Sequence, residues 1–180
     1  MKLLSKASLA ILTAVTLSTA LVAEAPERAK VQFLDHSDKT VGKADIRQGP
    51  DGVVIRVELE GLEPGWKAIH IHATGDCHDH DEGFQASGGH LDPDDRKHGL
   101  LHPEGPERGD LPNIWVNEDG EVRAEMHAHG VSIGQHEQHA ALLDEDGAAL
   151  VVHEGPDDHK SQPIGGAGSR VACGVVEAAE

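Results

Sequence analysis

The sequence predicts an all-β fold, a β-sandwich or flattened barrel of about eight antiparallel strands interrupted by two long functional loops. Three observations predict it. Apolar and polar residues alternate with a period of two, turn signals recur at short intervals, and no window holds a helical period beyond two turns. "AKVQFLD" (29–35) and "KTVGKADI" (39–46) flank a polar turn. "GVVIRVELEG" (52–61) sets Val53, Ile55, Val57 and Leu59 on one face and Arg56, Glu58 and Glu60 on the other. "AIHIH" (68–72) follows an "EPG" turn. "NIWVNEDGEVRAEMHA" (113–128) and "ALLDEDGAALVVHE" (141–154) each read as two strands around an Asp-Gly turn, and "RVACGVV" (170–176) closes the chain.

Composition narrows the class. Residues 1–23 carry Lys2 and Lys6, then an apolar run from Leu9 to Val22 dotted with Ala, Ser and Thr. This is the layout of a secretory signal peptide, too short and too hydroxylated to span a bilayer comfortably. Cleavage falls between residues 20 and 25, no cysteine follows that would take a lipid anchor, and residues 26–180 make one domain. The expected location is exported, periplasmic or extracellular, with no membrane attachment once the leader is removed. A net charge of −17 argues against a nucleic-acid partner, because phosphate binding needs a basic surface. With two Phe, two Trp and no Tyr, the core must be built from Val, Ile, Leu and Ala. The two cysteines, Cys77 and Cys173, suit one disulfide in an exported protein, worth about 4–5 kcal/mol in the chain-entropy model. Oligomeric state, a homodimer included, is left open.

Fourteen histidines point to metal. In "AIHIHATGDC" the isoleucines face one way and His70 and His72 the other, their Cβ atoms roughly 6.6 Å apart on one face. Taken alone, this reads as a half-buried strand with two imidazoles on its wet side. The loops decide. Two long connections, 73–111 and 154–169, each start directly after a strand-end histidine, His72 and His153. Loops of this length in a compact domain are usually functional.

The first loop contains "GGHLDPDDRKHG" and ends in "ERGDLP"; the second opens "VVHEGPDD" and ends in "GGAGSRVACGVV". From about residue 30 to the C-terminus the chain resembles the copper/zinc superoxide dismutases of the bacterial exported type. HxH with Cys five residues on, GGHxDP, GDLP, VVHE and GSRxACGV all occur in that family's order. The resemblance implies a Greek-key barrel, copper and zinc as cofactors, and superoxide as the substrate converted to dioxygen and hydrogen peroxide. It puts copper ligands at His70, His72, His90 and His153, with His90 bridging to zinc. Zinc ligands fall on His90, His98 and Asp110. Asp157 takes the place of the carboxylate that hydrogen-bonds a copper histidine and a zinc histidine. Arg170 takes that of the cation that receives the anionic substrate, and Cys77 and Cys173 that of the disulfide. The residue types agree: imidazoles suit copper in both oxidation states, and histidine with carboxylate suits zinc.

One position departs from the family. Three residues before Asp110, where a further zinc histidine is expected, stands Glu107. Glutamate can ligate zinc, His102 could swing in instead, or the site is weak or empty. His36, His78, His80, His127, His129, His136, His139 and His159 sit in no family motif; they read as solvated acidic loops, with metal recruitment as the alternative. A rival function on the same fold is a metal-buffering protein without turnover. Arg170 and Asp157 discriminate: a pure metal store has no use for a substrate-guiding cation, and both residues are present.

Overall fold

The computed structural model describes residues 26–179; the proposed leader lies outside them. Eleven strands run in order: β1 (Arg28–Leu34), β2 (Thr40–Gly49), β3 (Gly52–Leu59), β4 (Gly65–Lys67), β5 (Ile69–His72), β6 (Ile114–Val116), β7 (Val122–His129), β8 (Val131–Ser132), β9 (Ala140–Ala141), β10 (Ala149–His153) and β11 (Arg170–Ala178). Seven form one antiparallel sheet in the order β5-β10-β11-β1-β2-β3-β7. The sheet begins with the strand carrying His70 and His72 and places β10, which ends in His153, directly beside it.

Alternation explains which side of each strand is covered. In β3, Val53, Ile55 and Val57 are buried while Arg56 and Glu58 are exposed. Arg56 meets Glu125 across the β3–β7 ladder at 2.7 Å, an exposed pair that fixes register more than it stabilises. The main core gathers these residues with Phe33, Ile46, Ile69, Ile71, Leu150 and Val152.

Two regions differ from the pattern expected of them. The segment 113–128 does turn at Asn117–Gly120, but its arms part: β6 pairs with β4, and β7 with β3. In 141–154, the first arm supplies β9, which pairs in parallel with β8 instead of forming a hairpin with β10. Each Asp-Gly signal marks a reversal without dictating the partner. These short strands account for eleven elements where about eight were expected.

The first long loop is not draped over the barrel but stitched to it. One edge of β5 is paired with β10. The other is completed by loop backbone: Ile71 N–H donates to the Gly109 carbonyl at 2.9 Å, Leu91 N–H to Ile71 at 2.8 Å and Ala73 N–H to Gly89 at 2.9 Å. His72 consequently stands opposite His90, and His70 opposite Asp110. A second small apolar cluster, Cys77, Phe84, Ala149, Val151 and Cys173, fills the space between loop and sheet. The Cys77–Cys173 disulfide, closing 96 residues of sequence separation, ties the loop to β11 within it.

Gly109 is required by this stitching. A Cβ there would lie 2.2 Å from the Ile71 carbonyl oxygen. Gly109→Ala should therefore pull the loop off the β5 edge, lowering the unfolding temperature and opening Ile71 and Leu91 amides to hydrogen exchange. Wild-type protection of those two amides in the variant would contradict the pairing.

Candidate metal centre

β5 is buried on both sides. Ile69 and Ile71 enter the main core; His70 and His72, 0 % and 1 % exposed, face away from it into the space roofed by the loops. His153 ends β10, where a register shift after Val152 sets it opposite Arg170 on β11. A bulge at this place re-aims a strand-end side chain. His90 and Asp110 arrive on the stitched loop, and His98 on the loop's outer turn.

Hydrogen bonds fix which nitrogen of each ring is left over. His70 donates through Nε2 to Asp157 Oδ2 at 2.9 Å, His72 through Nδ1 to the Gly88 carbonyl at 2.9 Å, and His153 through Nδ1 to the Gly168 carbonyl at 3.1 Å. His70 Nδ1, His72 Nε2, His90 Nε2 and His153 Nε2 remain buried with no partner. The donor atoms of these four residues lie within 4.8 Å of one another. Four buried imidazole nitrogens, without a partner among the described residues and converging on one site, fit a copper ion.

A second group shares His90. Its Nδ1 lies 2.7 Å from Glu107 Oε2 and 3.5 Å from Asp110 Oδ1. His98 Nδ1 lies 2.7 Å from Asp110 Oδ1 and 3.4 Å from Glu107 Oε2. Asp110 Oδ2 accepts the backbone N–H of Gly99 at 2.7 Å and of Glu107 at 2.9 Å, which turns the buried Oδ1 inward towards the two rings. The donor atoms of His90, His98 and Asp110 lie within 4.8 Å of one another and of His70, and Glu107 Oε2 reaches both His90 and His98, a donor set that fits zinc. His102 belongs to neither group: its Nδ1 accepts the Glu104 N–H at 3.1 Å.

Asp157 joins the two halves, accepting from His70 on Oδ2 and from His98 Nε2 on Oδ1 at 3.1 Å. Such a carboxylate fixes ring orientation and tautomer. It is held in turn by residues that sequence reading did not single out. Asn113 exchanges two hydrogen bonds with the Asp157 backbone at 2.8 and 2.9 Å, and His159 N–H donates to Oδ1 at 2.6 Å. Gln162 likewise exchanges two bonds with the His98 backbone. Amide clamps of this kind have no spacing signature, so no sequence signal marked them.

Arg170 is anchored to the first loop. Nη2 donates to the Gly88 carbonyl at 2.7 Å and Nη1 to Ser87 Oγ at 3.1 Å, with the Phe84 carbonyl also engaged. Its positive charge reaches His72 and His153, disfavouring protonation of both.

The sequence of residues 40–176 matches the family model of copper/zinc superoxide dismutase. The chain is 47% identical over 140 residues to the superoxide dismutase [Cu-Zn] of Caulobacter vibrioides, covering 77% of this chain and 79% of that protein. It is 41% identical over 167 residues to superoxide dismutase [Cu-Zn] 1 of Aquifex aeolicus, covering 92% and 96%. Among solved structures, the Cu/Zn superoxide dismutase of Brucella abortus is similar with a TM-score of 0.65 at 33% identity, covering 84% of this chain and all of that one. A SOD-like protein from Bacillus subtilis is similar with a TM-score of 0.76 at 34% identity, covering 81% and 96%.

The two groups differ electrostatically in the metal-free protein. Burial pushes the imidazoles of His70, His72 and His153 down, to about 4, 2 and 3, so all three are neutral and ready to bind at pH 7. His98 goes the other way. Burial opposes its charge, but Asp110, Asp157 and Glu107 raise it to about 11, and His90 is raised too by Asp110 and Glu107. A protonated His98 thus stands in for a cation among the carboxylates. Between pH 6.5 and about 4 the unfolded chain binds protons on His70, His72 and His153 that the folded one refuses, so stability falls as pH falls. Above pH 6.5 the folded form keeps protons on His98 and His90 that the unfolded one has lost, so stability falls as pH rises. The metal-free protein should therefore show its highest urea midpoint near pH 6–7. A midpoint still rising from pH 7 to 9 would contradict the assignment of charge to His98.

Proposed function

Because the chain belongs to the copper/zinc superoxide dismutase family, with superoxide as substrate and copper and zinc as cofactors, we propose that its two buried donor groups divide those metals between them. His70, His72, His90 and His153 hold copper; His90, His98, Asp110 and Glu107 hold zinc. The observation that carries this reading is the set of unpartnered buried nitrogens and the Asp110 oxygen, all turned to two neighbouring points. The overall reaction takes two superoxide ions and two protons to one dioxygen and one hydrogen peroxide. Copper supplies the one-electron chemistry by cycling between its two oxidation states.

The chain's own residues supply the rest. His90 is the one imidazole whose two nitrogens face different groups, Nδ1 towards Glu107 and Asp110 and Nε2 towards the other three histidines. Whenever that Nε2 is not engaged by copper it could hold a proton beside the other three histidines, from where the proton could pass to reduced oxygen. Asp157 keeps His70 and His98 in the tautomers that leave Nδ1 free. Arg170 receives the anion. With a net charge of −17 the protein's overall field repels superoxide, so a fixed local cation must reverse it at the site.

The leader-like residues 1–23 and the disulfide support export to an oxidising compartment, periplasmic or extracellular.

His153→Ala removes one of four copper imidazoles and should reduce superoxide consumption to background while leaving the fold intact, since the ring lies outside the main core. Near-wild-type consumption would refute the ligand set. Arg170→Glu should lower the bimolecular rate by more than tenfold with copper content nearly unchanged. A proportional fall of rate and copper would make the arginine structural. For the second site, Glu107→Ala should lower zinc retention at pH 7 and His102→Ala should not. The reverse outcome, measured by metal analysis after dialysis, would assign the ligand to His102.

A further inference from the structure

The turn between β1 and β2 is braced by Asp35. Its Oδ1 accepts the N–H of Ser37 at 2.8 Å and of Lys39 at 3.1 Å, and the Asp35 N–H donates to the Lys39 carbonyl at 3.0 Å. A turn held this way presents the side chain of His36 in a fixed direction. Both nitrogens of that ring meet main-chain carbonyls of other elements. Nδ1 donates to His80, on the first long loop, at 2.6 Å, and Nε2 donates to Arg170, on β11, at 2.9 Å. One N–H serves one carbonyl, so the full clasp uses the ring with a hydrogen on each nitrogen. His80 Nδ1 lies 3.3 Å from the His36 carbonyl, a return contact between the same two segments.

The loop segment that His36 grips is the one that holds the guanidinium of Arg170. Nη1 donates to the Phe84 carbonyl and to Ser87 Oγ, and Nη2 to the Gly88 carbonyl. Phe84 sits in the left-handed region, with φ 56° and ψ 32°. That backbone is uncommon for a bulky residue and persists only where its surroundings impose it. The Phe84 ring is fully buried, and His36 stacks on it with centroids 4.9 Å apart and planes 25° apart. The Phe84 N–H donates to the Asp79 carbonyl at 3.1 Å and Asp79 Oδ2 accepts the Ala86 N–H at 3.0 Å, bracing residues 79–86 against one another. His36 thus ties this braced piece to the backbone of the residue whose side chain the piece holds.

We propose that His36 is a positioning residue for Arg170. Through the carbonyls of His80 and Arg170 it fixes the first loop against β11, and so the place of the Phe84 carbonyl that aims the guanidinium. The proposal rests on the reading of Arg170 as the group that receives superoxide. A guanidinium presents its N–H groups in a rigid fork, so a shift of one acceptor turns the whole charge. Among the described residues the ring's hydrogen-bond partners are His80 and Arg170, neither a proposed metal ligand, so losing it should leave both donor groups in place.

The test measures the bimolecular rate of superoxide consumption, with copper and zinc content, in the fully metallated protein. His36→Phe keeps a ring against Phe84 and removes both donors; His36→Ala removes the ring as well. Each should lower the rate by about 3–10-fold, the span that lost hydrogen bonds cover, with metal content at the wild-type level. Both substitutions are then repeated in an Arg170→Ala background. The carbonyl of residue 170 remains there, so a general effect of His36 on the fold persists while the route through the guanidinium is gone. His36→Phe should cause no further fall in that background. The proposal is overturned if His36→Phe consumes superoxide at the wild-type rate, or if its rate and copper content fall in proportion. It is also overturned if the substitution lowers the rate by the same factor with and without Arg170. An unchanged rate in Arg170→Ala alone would overturn the reading of Arg170 and the proposal with it, so the two failures are told apart.

Discussion

β5 is four residues long, and both its backbone edges are spoken for. β10 takes one edge and the loop segments at Gly89, Leu91 and Gly109 take the other. The consequences reach every functional residue. A backbone group inside the protein must find a partner, so the loop has to run alongside β5 in a fixed register. That register puts His90 next to His72 and Asp110 next to His70. The two donor groups, proposed for copper and zinc, are neighbours because two pieces of one loop complete the same strand.

The remaining precision comes from tautomers. Each histidine of the copper group gives one nitrogen to a carbonyl or carboxylate and keeps the other bare, and the choice differs between rings. Asp157 selects Nδ1 of His70; Gly88 and Gly168 select Nε2 of His72 and His153. Hydrogen bonding here does little for net stability and much for direction. The carboxylates around His98 show the complementary design. Three acidic groups buried near one ring would repel each other without a cation, and the protonated imidazole serves until metal displaces the proton.

How much of this was legible in the sequence follows from what spacing can encode. Period-two alternation separated Ile69 and Ile71 from His70 and His72, and turn-bounded runs marked the strands of the main sheet. The two long loops were recognisable because each leaves a strand at a histidine. Partner choice was not legible: the Asp-Gly turns at 119–120 and 146–147 announce reversals, yet β6 and β9 pair elsewhere, because longer-range packing sets the partner. Nor were the roles of Asn113, Gln162 and His159 visible: the first two clamp peptide groups with their amides, and His159 acts through its backbone N–H, contacts that carry no spacing signal. Glu107 lay between. The sequence showed a carboxylate where an imidazole was expected and left His102 open; distances to His90 and His98 put Glu107 in the cluster.

The Gly88 carbonyl oxygen accepts from both His72 Nδ1 and Arg170 Nη2. One acceptor therefore serves both a ring of the proposed copper group and the guanidinium proposed to receive the anion. Replacing Arg170 would leave that carbonyl to His72 alone. The ring keeps its bond and the donor set stays in place, while the contact that orients His72 is no longer shared. A change made at Arg170 would thus be felt in the strength of the His72 contact before it is felt in metal occupancy, and anion preference and metal reactivity would drift together in variants at this position.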